Sequence, residues 1–166
     1  MRIPADVADA LLERWPVARL AALGPGGRPW LVPVVFAPAA GRIWSPVDGK
    51  PKRSDEPARV RHVRRDPRVS LLLDHYDADW ARLWWLRVDA AASVCVAEGP
   101  GADPAAPSAV AALRDKYPQY AEVPLFRGAP RLLALAPAAT SSWCSSAEAL
   151  RELAARTRAP ARPGVP

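Results

Sequence analysis

Cysteine and histidine are scarce. Cys95 and Cys144 lie far apart and show no metal-type spacing, and His62 and His75 are too few and too isolated to complete a ligand set. No metal centre is expected, and both thiols are expected to be reduced and partly buried. No apolar run reaches the ~20 residues that span a bilayer. The opening Met1-Arg2-Ile3-Pro4-Ala5-Asp6 lacks the apolar stretch of a secretory signal, so the cytoplasm is the expected compartment. There is no Walker loop, no G-x-G-x-x-G, no CxxC, no HExxH and no internal repeat. Gly24-Pro25-Gly26-Gly27 comes nearest to a phosphate-binding glycine loop. It is flanked by two strand-like runs instead of a strand and a helix, which predicts a hairpin turn.

What is present suits one globular domain. The 166 residues are 50% hydrophobic and 24% charged, enough for a core and ordinary enough to exclude wholesale disorder. The expected domain covers residues 1–156, followed by a disordered, proline-rich tail over 157–166.

Periodicity sets the expected elements. Val7, Ala10, Leu11 and Trp15 recur at helical spacing, and Pro16 stops that helix. Val17–Leu23 and Pro29–Ala37 form a hairpin. Pro33 inside its second arm implies an edge, a bulge or a gap facing a ligand, because proline lacks the ladder N–H. Arg42–Pro46, Arg68–Tyr76, Arg82–Val96 and Arg131–Trp143 are further strands. Short helices are expected over Pro57–Arg65, over Ser108–Lys116 with Ser108 as cap, and over Ala147–Ala155. Tight turns between consecutive strands make the sheet antiparallel. The economical arrangement is a mainly β fold, a six-stranded, partly closed barrel with peripheral helices.

Three groups of residues invite chemistry. The net charge of +6 is concentrated between Lys50 and Arg68, where Lys50, Lys52, Arg53, Arg59, Arg61, Arg64, Arg65 and Arg68 face only Asp55, Glu56 and Asp66. Such a patch suits an anionic partner: nucleic acid, an anionic membrane surface or a phosphorylated cofactor. Lys50, Lys52 and Arg53 lie between a strand end and a helix start, where free N–H groups also attract anions. Either a phosphate cradle or a solvated basic loop fits that pattern. Second, seven tryptophans are many for this length, and adjacent Trp84 and Trp85 must point to opposite faces of a strand. One belongs in the core, and the other needs a cover from a partner or a planar ligand. Third, Asp74-His75-Tyr76-Asp77 reads as a general-base pair or as surface hydrogen bonding.

The segments Leu31-Val-Pro-Val-Val-Phe36, Ile43-Trp-Ser-Pro-Val-Asp-Gly-Lys-Pro-Lys52 and Asp66-Pro-Arg-Val-Ser-Leu-Leu-Leu-Asp-His-Tyr76 together resemble the pyridoxamine 5'-phosphate oxidase-like superfamily of flavin-binding split barrels. The resemblance is greatest to its coenzyme F-420-dependent members. Trp80-Ala-Arg-Leu-Trp-Trp-Leu-Arg-Val-Asp89 and Lys116-Tyr-Pro-Gln-Tyr120 extend it, so that it covers about Arg14 to Trp143.

This resemblance implies a homodimer with a cofactor at each side of the subunit interface, no nucleic-acid or membrane partner, and a small-molecule substrate. By the same likeness Val32, Pro33 and Val34 border the ring, and Ser45, Pro46 and Val47 offer it backbone contacts. Lys52 matches a phosphate-binding lysine with Lys50 and Arg53 beside it, and Trp143 approaches the ring from the partner chain. The implied activity is hydride transfer between coenzyme F-420 and a small organic substrate, with His75 or Tyr76 as candidate proton donors. An FMN-dependent reductase or oxidase, or a flavin- or haem-binding module without turnover, are the alternatives. Pro51 stands where the vitamin oxidases carry an arginine, and their C-terminal substrate-phosphate motif is missing, which argues against that activity.

Overall fold

The computed structural model describes residues 1–47, 56–126 and 128–158. Helix α1, Ala5–Arg14, is followed by strands β1, Ala18–Leu23, β2, Pro29–Val34, β3, Ala37–Ala39, and β4, Arg42–Pro46. Helix α2, Ala58–Arg65, leads into β5, Arg68–His75, and β6, Trp84–Val96. Helix α3, Ala106–Lys116, β7, Arg131–Cys144, and α4, Ala147–Arg158, complete the order. Thr157 and Arg158 thus form the last turn of α4, two residues into the expected tail, and the rest of that tail lies outside the described residues.

All seven strands join one sheet in the order β2-β1-β5-β6-β7-β4-β3, and every pairing is antiparallel. The sequence reading expects six strands. The difference arises at Val35–Phe36, where the expected single run Pro29–Ala37 breaks into β2 and β3.

That break also closes the fold. β2 and β3 are the two edges of the sheet, yet only Val35 and Phe36 separate them in the chain. Two linking residues span at most about 11 Å at 3.8 Å per Cα step. A flat sheet of seven strands at ~4.8 Å spacing would hold its edges about 29 Å apart. The sheet must therefore curl until its edges meet, giving a barrel whose last seam carries no strand ladder.

Burial follows from this curvature. The barrel interior holds Leu20, Val34, Ile43, Val47, Leu71, Leu73, Leu86, Val88, Leu133 and Leu135, sealed by Val60 and Val63 of α2 and by Val7 and Leu11 of α1. A second cluster lies on the opposite face of β4 and β7, where Trp44, Leu132 and Ala134 pack with Ala109 and Leu113 of α3 and with Tyr117. Residues 132–135 of β7 are consequently buried on both faces. Trp84 is buried at 3% exposure while Trp85 is half-buried, the division expected of adjacent strand residues.

α3 starts two residues earlier than its expected cap. Ser108 lies inside the helix, and the Asp103 carboxylate accepts the Ala105 N–H at 2.9 Å instead. Asp103 also receives both Nη atoms of Arg42 at 2.7 and 2.8 Å, tying the connection before α3 to β4. These donors hold the Asp103 carboxyl well below the usual carboxylate range. Cys95 and Cys144 are free thiols, and burial pushes both upward in pKa. Among the described residues, no helix is long and apolar enough to cross a membrane.

Candidate functional site

The β3–β4 hairpin pairs Ala37 with Trp44, Pro38 with Ile43 and Ala39 with Arg42. Continuing that register past β3 sets Phe36 opposite Ser45, Val35 opposite Pro46 and Val34 opposite Val47. No pairing joins them. The chain leaves β3 for β2 while β4 continues along β7, as far as the bond from Val47 N–H to the Arg131 carbonyl at 2.9 Å.

Two segments singled out from the sequence, Val32–Val34 and Ser45–Val47, therefore form the two lips of the unladdered seam. Val34 and Val47 are buried in the same interior cluster, whereas Pro33 is exposed and Val32 half-buried. Pro33 lies on an edge strand, where its missing N–H costs no ladder bond on the open side.

Ser45 is the polar residue of this seam. It shares a strand face with Ile43 and Val47 and is 2% exposed. Its hydroxyl has no hydrogen-bond partner among the described residues. A buried hydroxyl left in that state is costly, and such groups mark places where a ligand completes the set. Unladdered backbone, apolar walls and an unspent hydroxyl fit the flat, partly polar ring of a flavin or deazaflavin.

Lys50, Lys52 and Arg53 lie outside the described residues. The rest of the basic segment is visible. The Glu56 carboxylate accepts from both Arg64 and Arg131, and the Asp66 carboxylate takes Arg68 at 2.6 Å. Arg68 thereby holds Asp66 at about 2. Arg61 donates to the Glu56 backbone carbonyl and Arg65 to the Gly24 carbonyl at 2.7 Å. A carbonyl orients a guanidinium without cancelling its charge. Arg61 and Arg65 thus carry two exposed positive charges with no carboxylate at ion-pair distance among the described residues.

Between them His62 is buried at 8% exposure, its ring edge-on to Trp30 at 5.1 Å. Burial, then Arg61 and Arg65, hold its imidazole below the ordinary histidine value.

Other candidates lie elsewhere. Trp143 pairs with Trp85 and is 37% exposed. Residues 132 to 143 of β7 cover roughly 35–40 Å of strand. Trp143 therefore stands far along β7 from Leu132, the partner of Pro46. His75 Nε2 lies 2.9 Å from the Asp77 carboxylate at the β5–β6 turn, Tyr76 is exposed, and Asp74 pairs with Arg19. Surface hydrogen bonding accounts for that group.

Glu56 and Tyr117 escape a sequence reading. Nothing in its spacing marks Glu56 as the shared anchor of Arg64 and Arg131. Tyr117 lies inside the segment Lys116-Tyr-Pro-Gln-Tyr120, and that segment is the only signal available for it.

Residues 5–144 match the family profile described as pyridoxamine 5'-phosphate oxidase. None of the curated proteins matches the chain. Among solved structures, the conserved hypothetical protein Rv2991 of Mycobacterium tuberculosis superposes with a TM-score of 0.63 at 22% identity, over 87% of this chain and 86% of that one. The haem storage protein HutZ of Vibrio cholerae gives 0.60 at 17% identity, over 87% and 95%. An F420 reductase gives 0.53 at 19% identity, over 80% and 94%. At these identities the structural likenesses establish the fold.

Proposed function

Because the chain belongs to the pyridoxamine 5'-phosphate oxidase family, we propose that it is an F-420-dependent oxidoreductase acting on a small organic substrate. It works as a homodimer, with the deazaflavin ring in the seam between Val32–Val34 and Ser45–Val47. When bound, the cofactor supplies hydride chemistry at its ring. The chain's part is to orient and enclose it. Val34 and Val47 exclude water, the Ser45 hydroxyl and the open backbone of the lips take the polar ring edge, and Lys50, Lys52 and Arg53 hold the phosphate. Trp143 stands far along β7 from its own seam, and in this reading it approaches the ring from the partner chain. The exposed Trp143 and Leu31 and the half-buried Trp85 are the aromatic and apolar surface that a second copy would cover.

The observation that carries the choice of F-420 over FMN is the pair Arg61 and Arg65. FMN ends at one phosphate, which Lys50, Lys52 and Arg53 suffice to bind. F-420 continues into an oligoglutamate tail, and two guanidinium charges at i and i+4 suit its carboxylates. The test begins with the absorption spectrum and mass of any chromophore that copurifies, in which a haem reading would give a Soret band. Titration then compares F-420 with FMN. Affinity for F-420 is expected to be higher and to fall with salt. Arg61→Glu with Arg65→Glu should weaken F-420 and spare FMN. Lys52→Ala should weaken both about ten- to hundredfold. Equal affinities for the two cofactors, insensitive to salt, would reject the assignment.

A further inference from the structure

The seam lacks a ladder, yet in the link that crosses it Val35 is half-buried and Phe36 is fully buried, at 0% exposure. Its backbone must find partners elsewhere. For Phe36 they come from Tyr117, the residue after α3. The Tyr117 hydroxyl accepts the Phe36 N–H at 3.0 Å. It has one proton to give, and two carbonyls stand ready for it, Phe36 at 2.8 Å and Pro16 at 3.0 Å. Lys116, the preceding residue, holds the Phe36 ring. Its Nζ sits 3.6 Å from the ring centroid and donates to the Leu12 carbonyl of α1 at 2.8 Å. The Tyr120 ring packs edge-on against Tyr117 at 6.0 Å and fixes its direction. Phe36 is thus gripped by backbone and by ring from two consecutive residues, opposite Ser45 in the continued β3–β4 register.

We propose that Tyr117 is a positioning residue for the cofactor seam: its hydroxyl replaces the missing ladder bonds at Phe36 and sets how far the β2 lip stands from the β4 lip. Lys116 supports it by holding the Phe36 ring. The inference rests on the reading of the seam as the cofactor site. It adds a determinant of slot width that touches neither ring nor phosphate.

The test uses the full chain with Tyr117→Phe, which removes the hydroxyl and keeps the ring. Leu125→Val is the control, a small cavity in the same cluster that leaves the hydroxyl bonds in place. Amide exchange at Phe36 should accelerate about tenfold in Tyr117→Phe and stay near native in the control. The F-420 dissociation constant should rise about tenfold in Tyr117→Phe, at a temperature where near-ultraviolet circular dichroism shows it folded, and remain native in the control. If Tyr117→Phe binds F-420 within twofold of native, the positioning role is overturned while the seam stands as the site. Equal loss in Leu125→Val also overturns it, by showing an effect of stability alone. If the native chain binds neither F-420 nor FMN, the reading of the seam falls and this inference with it. Should Tyr117→Phe not fold, Lys116→Met carries the test. It keeps the hydroxyl and frees the ring, so Phe36 amide exchange and the F-420 dissociation constant should rise together, the latter about threefold; faster exchange at native affinity shows that the anchoring of Phe36 does not set the slot and overturns the proposal.

Discussion

Ser45→Ala should stabilise the ligand-free chain and weaken its hold on the cofactor. The Ser45 hydroxyl is buried, and its oxygen meets no partner among the described residues. Mutational data put the cost of such a group at about 1–3 kcal/mol. Alanine removes the hydroxyl and leaves a void of one oxygen atom, which returns a fraction of a kcal/mol. The net gain is about 1 kcal/mol, or roughly 2–4 °C in Tm for a chain of this size. With cofactor bound the sign reverses. A hydrogen bond worth about 1 kcal/mol is lost, and affinity falls about fivefold. Ser70→Ala is the matched contrast, because the Ser70 hydroxyl donates to the Asp89 carboxylate at 2.5 Å and its removal should destabilise. Urea midpoints of the ligand-free proteins, followed by F-420 titration, read both effects. If Ser45→Ala lowers the urea midpoint as Ser70→Ala does, the hydroxyl has a partner and the reasoning about the seam is refuted.

Three further outcomes follow from buried or paired charges. His62 is held below 6.5, so below that pH the unfolded chain takes up a proton that the folded one refuses. Stability should fall with acidification from about pH 6.5, and His62→Phe should flatten that limb in urea titrations. Burial brings Lys116 down to about 7, so the folded chain releases its proton there while the unfolded chain keeps it to 10.5. Stability should rise with pH across that window, and Lys116→Met should abolish the rise. Asp103→Asn removes the bidentate partner of Arg42 and should cost about 1–2 kcal/mol by thermal melting, with allowance for partial exposure. The same carboxyl is held well below its ordinary 3.8, so its contribution should begin to decline only below that pH and be lost as the folded carboxyl itself takes up a proton in stronger acid.

Local signals and structure agree where the signal is local. α1, Ala5–Arg14, carries the helical spacing of Val7, Ala10 and Leu11 and ends before Pro16, as expected. The hairpin at Gly24–Gly27 needs the positive φ of Gly26 and Gly27, at 68° and 74°, which glycine adopts at least cost. Pro33 marks its second arm for an edge, a bulge or a gap, but nothing in the sequence places the break at Val35–Phe36. An unbroken run of valines and phenylalanine reads as one strand, and only a tyrosine eighty residues later supplies the hydrogen bonds that let it part. The expected cap of α3 fails because Ser108 has the right chemistry but lies inside a helix that starts at Ala106 behind Ala105, which makes no side-chain cap bond. Charge spacing revealed the basic patch. It did not reveal which arginines Glu56 and Asp66 would neutralise, because that depends on how α2 meets β5 and β7.

The order of strands has a consequence for synthesis on the ribosome. Ile43 of β4 waits for Leu135 of β7, and Leu20 of β1 waits for Leu71 of β5. The β3–β4 hairpin emerges early and then has no sheet to join until nearly the whole chain is made. Through that interval the β7-facing edges of β4 and of the long β6 are bare, open to pairing with any neighbour. Productive folding should therefore be slow and late, as expected for non-local pairings. Expression that outpaces the arrival of β7 should lose protein to edge-to-edge association.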